Sequence, residues 1–192
     1  MLFRSRYDYR KAAEEFREAK RLDPEDSLAW DWLSWALGYQ QPPDPVGAEK
    51  ASREAIRQGL ETNSTYYHLG RALYLQGRYD EAIEAMERAQ KLSPASSTPT
   101  FGLSQIYLAK GEYDRALSYW LRQPEKQRNT AVVAFMGASI FAARGEMDKA
   151  LTEFQLALEK GYRDFAAIDA SPHLATLRSD PRFQQLIRRY RQ

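Results

Sequence analysis

A repeat of 34 residues is the feature that most constrains the fold of this chain. Alanines stand 34 residues apart at positions 48, 82, 116 and 150, and Ala12 precedes the first of them by 36 residues. A bulky side chain follows four residues later in most copies, at Phe16, Met86, Trp120 and Phe154. A unit of this length that recurs at a fixed interval predicts stacked copies, because one copy cannot bury its own apolar face.

Each copy of the repeat is predicted to be a pair of helices. In the segment 79–92 the apolar residues fall at steps of three and four and form one stripe: Tyr79, Ala82, Ile83, Met86, Ala89 and Leu92. A similar stripe in the preceding segment contains Tyr66, Leu69, Gly70 and Leu73. Gly77 lies between the two, where the chain needs a residue that tolerates positive φ. Pro24 and Pro94 are expected to close second helices, because proline cannot continue the hydrogen-bond ladder.

These residues resemble the tetratricopeptide repeat family. The family pattern of a large residue, Leu-Gly, a later Ala, an aromatic residue and a Pro is met in 63–94 by Tyr66, Leu69, Gly70, Ala82, Met86 and Pro94, with Met86 at the aromatic position. Trp30 and Leu33 fit the second copy, and the resemblance covers about residues 9–160. It implies an all-α fold, a right-handed α-solenoid of stacked helix-turn-helix hairpins with a C-terminal capping helix.

The repeat boundaries are predicted within a single domain, 1–192. They are a partial first repeat at 1–25, repeats at 26–61, 62–95, 96–128 and 129–162, and a cap at 163–192. The closing proline is replaced by Leu60, Arg128 and Tyr162, so altered packing is expected between the last repeats. In the cap, Ser-Pro and Asp-Pro are expected to begin helices.

The first repeat is incomplete, which favours excision from a longer protein over a short turn at residues 2–6 that caps the array. Excision would leave an apolar flank around Phe3, Tyr7, Ala12 and Phe16 that a second copy of the chain could cover. Self-association through this open repeat is therefore one predicted property.

Composition argues against several functional classes. The chain has no cysteine, which removes disulfides, thiolate metal sites and thiol nucleophiles. No signal peptide, membrane span, nucleotide loop or zinc motif is present, so we expect a cytoplasmic, non-enzymatic protein without metal or cofactor. The net charge is +2. The tail has five arginines near Asp180, but its apolar residues are needed for capping, so nucleic-acid binding is not favoured.

The family resemblance also implies where a partner would bind. First helices line the concave side, and the inward positions of this sequence are Asp31, Trp35, Tyr39, Tyr67, Arg71, Tyr74, Phe101, Gln105, Leu108, Phe135 and Ser139. Three rings recur at one repeat position, Tyr67, Phe101 and Phe135, and predict an aromatic ladder, although the rings could instead pack between repeats. Asp31 and Arg71 would orient a charged ligand. The inward Lys, Asn and Arg of carboxylate-clamp domains are mostly missing, so that subtype is not expected.

Two functions are consistent with these features. The first is a scaffold that binds another protein, either as an extended peptide of roughly six residues or as an amphipathic helix. The second is the regulatory or sensing part of a larger bacterial signalling protein such as a kinase, cyclase or transcription regulator. The incomplete start and a tail similar to those after bacterial arrays motivate the second.

Overall fold

A computed structural model describes residues 8–191, and this part of the chain contains helices and no strand. Its α-helices are α1 (Tyr9–Leu22), α2 (Ser27–Tyr39), α3 (Pro45–Arg57), α4 (Asn63–Leu75), α5 (Tyr79–Leu92), α6 (Ser97–Ala109), α7 (Tyr113–Leu121), α8 (Glu125–Arg128), α9 (Ala131–Ala143), α10 (Met147–Glu159), α11 (Phe165–Ala170) and α12 (Pro181–Tyr190), with a 3-10 helix at Pro172–Leu177. The all-α prediction is confirmed. Within residues 8–191, no helix is both long enough and apolar enough to cross a membrane.

Two compact units divide the described residues, 8–106 and 107–191. In the first unit α1 packs on α2, α2 packs on both α3 and α4, and α4 packs on α5. In the second unit α7, α8, α10 and the 3-10 helix pack on α9, and α12 packs on α10. The predicted flank at Phe3 and Tyr7 and the predicted turn at residues 2–6 lie outside the described residues.

The repeated small residues are where the helices approach one another. Ala82, Ala116 and Ala150 have no exposed surface, and Ala48 is 1% exposed. Gly77, Gly111 and Gly145 have φ values of 75°, 78° and 77°, so the predicted left-handed turn at Gly77 is confirmed and recurs at the 34-residue interval. The period in the sequence therefore records a steric requirement of the hairpin.

Proline and acidic residues set several helix ends. Helices α1 and α5 end at Leu22 and Leu92, two residues before Pro24 and Pro94. At the start of α2, a side-chain oxygen of Asp26 accepts hydrogen bonds from two backbone N–H groups. These local signals fix the helix that carries part of the candidate site.

Helix α7 is shorter than its counterparts. It has 9 residues, whereas α3, α5 and α10 have 13 or 14. Pro124 follows, and the short helix α8 then leads to α9. The repeat pattern did not predict this interruption, although Pro124 was the available signal.

The C-terminal residues form the predicted closing elements. Pro172 begins the 3-10 helix and Pro181 begins α12, so the expectation for the two X-Pro pairs is confirmed. The Phe183 ring lies 4.6 Å from the Phe154 ring between centroids. Phe183 is 5% exposed and Phe154 is fully buried, so α12 covers an apolar patch of α10.

Candidate functional site

Helices α2 and α4 bring five of the predicted site residues onto one surface. Trp35 and Tyr39 are one turn apart on α2, and Tyr67, Arg71 and Tyr74 follow the same spacing on α4. All five side chains are half-buried. Because α2 and α4 pack directly on each other, these residues form a continuous patch, which we call the α2–α4 surface.

Direct contacts join the members of the α2–α4 surface. The guanidinium carbon of Arg71 lies 4.0 Å from the centroid of the Tyr39 ring. The hydroxyl oxygens of Tyr39 and Tyr67 are 3.3 Å apart, and the Trp35 and Tyr39 ring centroids are 6.4 Å apart. A cation over an aromatic face and linked phenols give a surface with both apolar area and hydrogen-bond donors.

Tyr67 and Tyr74 of this surface keep their protons at neutral pH. Burial, and after it the neighbouring Tyr39 phenol, raises the pKa of Tyr67. Burial and then Tyr79 raise the pKa of Tyr74, and in both cases the Arg71 charge acts in the opposite direction. The two hydroxyls are therefore neutral groups that can donate to a ligand.

Asp31 is occupied by a partner from α4. Its carboxylate Oδ1 lies 3.0 Å from Nδ1 of His68, and Asp31 is 7% exposed. The family resemblance predicted Asp31 as a ligand-facing residue. The structure shows an internal Asp31–His68 pair, which accounts for the Asp31 carboxylate without a ligand.

Two predicted residues lie on α6 in the first unit, and three lie in the second unit. Phe101 and Gln105 on α6 are half-buried. In residues 107–191, Leu108 is 7% exposed and Ser139 is 4% exposed, with the Ser139 hydroxyl donating to the Phe135 carbonyl. The ring of Phe135 stacks on Tyr162 at 4.2 Å, which covers one of its faces. The assignment of these five predicted residues as binding residues stays a prediction.

Aromatic residues that the sequence analysis did not select extend the α2–α4 surface. The ring centroid of Tyr9 on α1 lies 5.0 Å from that of Trp35 and 5.7 Å from that of Tyr39. Trp32 is 48% exposed and stands 5.6 Å from Trp35. The density of rings in the segment 30–39 was the available signal, because Trp32 and Trp35 are three residues apart on one helix.

Several charged groups elsewhere in the described residues are paired with one another. Arg182 contacts Asp148 and Asp180, and Arg191 contacts Asp169, so two of the five tail arginines are matched by carboxylates. Burial alone would raise the pKa of Glu49, but hydrogen bonds from Gln76, Arg53 and Arg78 outweigh burial and lower that pKa. These contacts stabilise the fold locally.

The acidic residues and histidines of this part of the chain are dispersed. Between residues 8 and 191 there is no cluster of three His, Asp or Glu side chains that could hold a metal ion. The two histidines lie far apart in sequence, and His68 already contacts Asp31.

Comparisons with known proteins identify the same repeat. Two family models described as tetratricopeptide repeat match residues 45–97 and 73–139. The small glutamine-rich tetratricopeptide repeat-containing protein 2 of Mycosarcoma maydis is 27% identical over 97 residues. That alignment covers 50% of this chain and 27% of the relative, so the chain spans about a quarter of the relative's length.

Solved structures share the fold at low sequence identity. PilW, a widely conserved type IV pilus biogenesis factor, superposes with a TM-score of 0.76 at 15% identity, covering 95% of this chain and 84% of PilW. YrrB, a TPR protein with an unusual peptide-binding site, superposes with a TM-score of 0.61 at 20% identity, covering 93% of this chain and 92% of YrrB. At such identities the similarity establishes the helical-repeat fold alone.

Proposed function

The chain is a tetratricopeptide-repeat protein, and on that premise we propose that it binds a segment of another protein along the first helices of its repeats. Proteins of this family are generally non-enzymatic interaction scaffolds. The proposed function is binding without catalysis. The proposed contact surface in the first unit is the α2–α4 surface, with Phe101 and Gln105 as its predicted continuation on α6.

One observation carries this proposal: the α2–α4 surface is half-buried, aromatic and centred on an arginine that lies on a tyrosine ring. Trp, Tyr and Arg are the residue types that dominate the binding energy of protein interfaces. The guanidinium carbon of Arg71 lies 4.0 Å from the centroid of the Tyr39 ring, and this contact holds the guanidinium in place before any ligand arrives. Less side-chain entropy is then lost on binding.

The bound segment is proposed to be extended. The half-buried phenol hydroxyls and the Arg71 guanidinium can donate to backbone carbonyls, while the Trp35 ring offers apolar area to a side chain. YrrB supports a peptide ligand by analogy of fold, since it is a TPR protein with an unusual peptide-binding site. An amphipathic helix is the alternative ligand, and it would use the rings more than the donors.

The test is a binding measurement on selected peptides. Peptides capped at both ends would be selected against the full chain from a display library, and their affinities compared between the wild type and an Arg71→Glu, Phe101→Lys double variant. A loss of about tenfold or more in affinity is expected, because both changes fall on proposed contact positions. Circular dichroism and thermal melting would establish that the variant remains folded.

A matched control lies on α5 in the same unit. Arg88→Glu with Leu92→Lys introduces the same two residues, Glu in place of an arginine and Lys in place of an apolar side chain, at exposed second-helix positions. The proposal expects this control to bind like the wild type. Equal losses in both double variants, or no loss in the first, would move recognition away from the first helices.

Further expectations go with the proposal as predictions. They are a cytoplasmic location, use as the sensing part of a larger signalling protein, and self-association through the first repeat. For self-association, the relevant described surface contains Trp32, which is 48% exposed and lies beside Phe16, at 6.2 Å between ring centroids. Sedimentation of a Trp32→Glu variant would test it.

A further inference from the structure

Arg71 is held in place by weak contacts that use little of its hydrogen-bonding capacity. Nη2 donates to the Gly38 carbonyl at 3.3 Å, near the long end of the normal range. The Nε atom is buried and has no acceptor among the described residues. A guanidinium has several N–H donors in one plane, so within residues 8–191 most of the Arg71 donors are unmatched.

The charge of Arg71 is also unmatched, unlike that of most arginines in the first unit. Five other arginines of this unit lie within ion-pair distance of a glutamate: Arg21, Arg53, Arg57, Arg78 and Arg88. Of the carboxylates in residues 8–191, none is that close to Arg71. Asp31, whose carboxylate is paired with His68, precedes Gly38 by seven residues. That separation is about 10 Å along α2.

A half-buried cation with unused planar donors favours an anion that matches their geometry. Removal of a guanidinium from water is costly unless its donors are satisfied. A carboxylate accepts two parallel N–H bonds from a guanidinium and matches its planar edge. The neutral hydroxyl of Tyr67, linked to Tyr39 at 3.3 Å, supplies a further donor on the same surface.

We propose that Arg71 receives a side-chain carboxylate, from an aspartate or glutamate inside the bound segment. This inference rests on the proposed function and adds the chemistry of the partner: an acidic segment of another protein. It also changes the expected role of the two charges. Asp31 is already paired with His68, so Arg71 alone interacts with the charge of the ligand at the α2–α4 surface.

The experiment uses paired pools of immobilised peptides that are capped at both ends, so that terminal carboxylates are absent. The two pools are identical except that one fixed position is Glu in the first and Gln in the second. The full chain should retain the Glu pool about tenfold better than the Gln pool, since a charged hydrogen bond is being gained. The preference should shrink as salt is raised.

Variants separate recognition from folding. Arg71→Gln is expected to retain both pools equally, and Arg71→Lys to keep part of the preference because it keeps the charge but not the planar fork. Arg88→Gln is the matched control: Arg88 also lies over a tyrosine, at 5.7 Å from the Tyr66 ring, but it pairs with Glu61. It should behave like the wild type.

The two proposals fail in different ways. Equal retention of Glu and Gln pools by the wild type, with loss of both pools in a Phe101→Lys variant, would overturn the acidic preference and leave peptide binding in place. Persistence of the Glu preference in Arg71→Gln would also overturn the assignment to Arg71. No retention of either pool by the wild type would count against both proposals.

Discussion

Gly137 on α9 lies against the indole of Trp120 on α7, so that a Cβ placed on this glycine would stand 2.6 Å from Cζ2 of the tryptophan. The indole is 4% exposed, and its Nε1 donates to the Val133 carbonyl at 2.9 Å. A buried ring that is tethered by a hydrogen bond cannot move away easily. The glycine is therefore required for α7 to pack on α9.

Gly137→Ala is predicted to destabilise the second unit by about 1–3 kcal/mol, because the added methyl overlaps a rigid ring. Urea denaturation would measure this change. Gly102→Ala is the matched comparison, since its Cβ would stand 2.7 Å from Sδ of Met86, in a flexible side chain. The helix preference for alanine, about 1 kcal/mol, applies at both glycines. At Gly102 it offsets much of the steric cost, because the Met86 side chain can move aside. A larger loss at Gly102 than at Gly137 would contradict this account.

The Asp31–His68 pair is predicted to stabilise the first unit and to contribute little to ligand choice. Asp31→Ala leaves the buried Nδ1 of His68 without its partner, which should cost about 1–3 kcal/mol in unfolding free energy. His68→Ala should cost a similar amount. A double-mutant cycle should show coupling of at least about 0.5 kcal/mol. Additive losses, or a Glu preference that vanishes in a folded Asp31→Ala variant, would argue against a purely internal pair.

Glu153 on α10 is predicted to reduce stability at neutral pH. Burial raises its pKa from the ordinary value of 4.5, against the smaller effect of Arg128, and its Oε2 is buried without a hydrogen-bond partner among the described residues. A carboxyl with a raised folded-state pKa favours folding below 4.5 and loses that contribution as pH rises through the folded pKa. Glu153→Gln should therefore raise the Tm at pH 7, and the gain should disappear in acid.

Glu49→Gln is the opposite-sign control for this pH dependence. The pKa of Glu49 is lowered in the folded state, so its contribution to stability is present above 4.5 and is lost as pH falls through the folded value. The substitution should lower the Tm at pH 7 and have little effect in strong acid. Thermal melts of both variants across the acid range would test the pair together, and the same sign of effect at pH 7 would refute the assignment.

The fold was largely predictable because the repeat is a local steric pattern. The spacing of Ala82, Ala116 and Ala150 and the positive φ of the intervening glycines depend on residues within one hairpin. The short α7 was not predicted, because the 34-residue period continues through this repeat and Pro124 does not alter it. A breaker at one position can interrupt a helix without changing the period.

The candidate site was less predictable because it depends on contacts between helices. Asp31 and His68 are 37 residues apart, and their pairing follows from the rotation of α2 against α4, which periodicity does not determine. The same is true of Tyr9, whose contact with Trp35 requires the packing of α1 on α2. The sequence predicted which positions belong to the first helices, and packing decides which of their charges are already matched.

The most direct test of the central claim is amide hydrogen exchange of the full chain with and without a selected capped peptide. Binding along the first helices predicts added protection in α2 and α4, with α3 and α5 of the same unit little changed. The Arg71→Glu, Phe101→Lys variant should show no added protection at the same peptide concentration. Protection concentrated in α3 and α5, or confined to residues 107–191, would contradict the proposed binding surface.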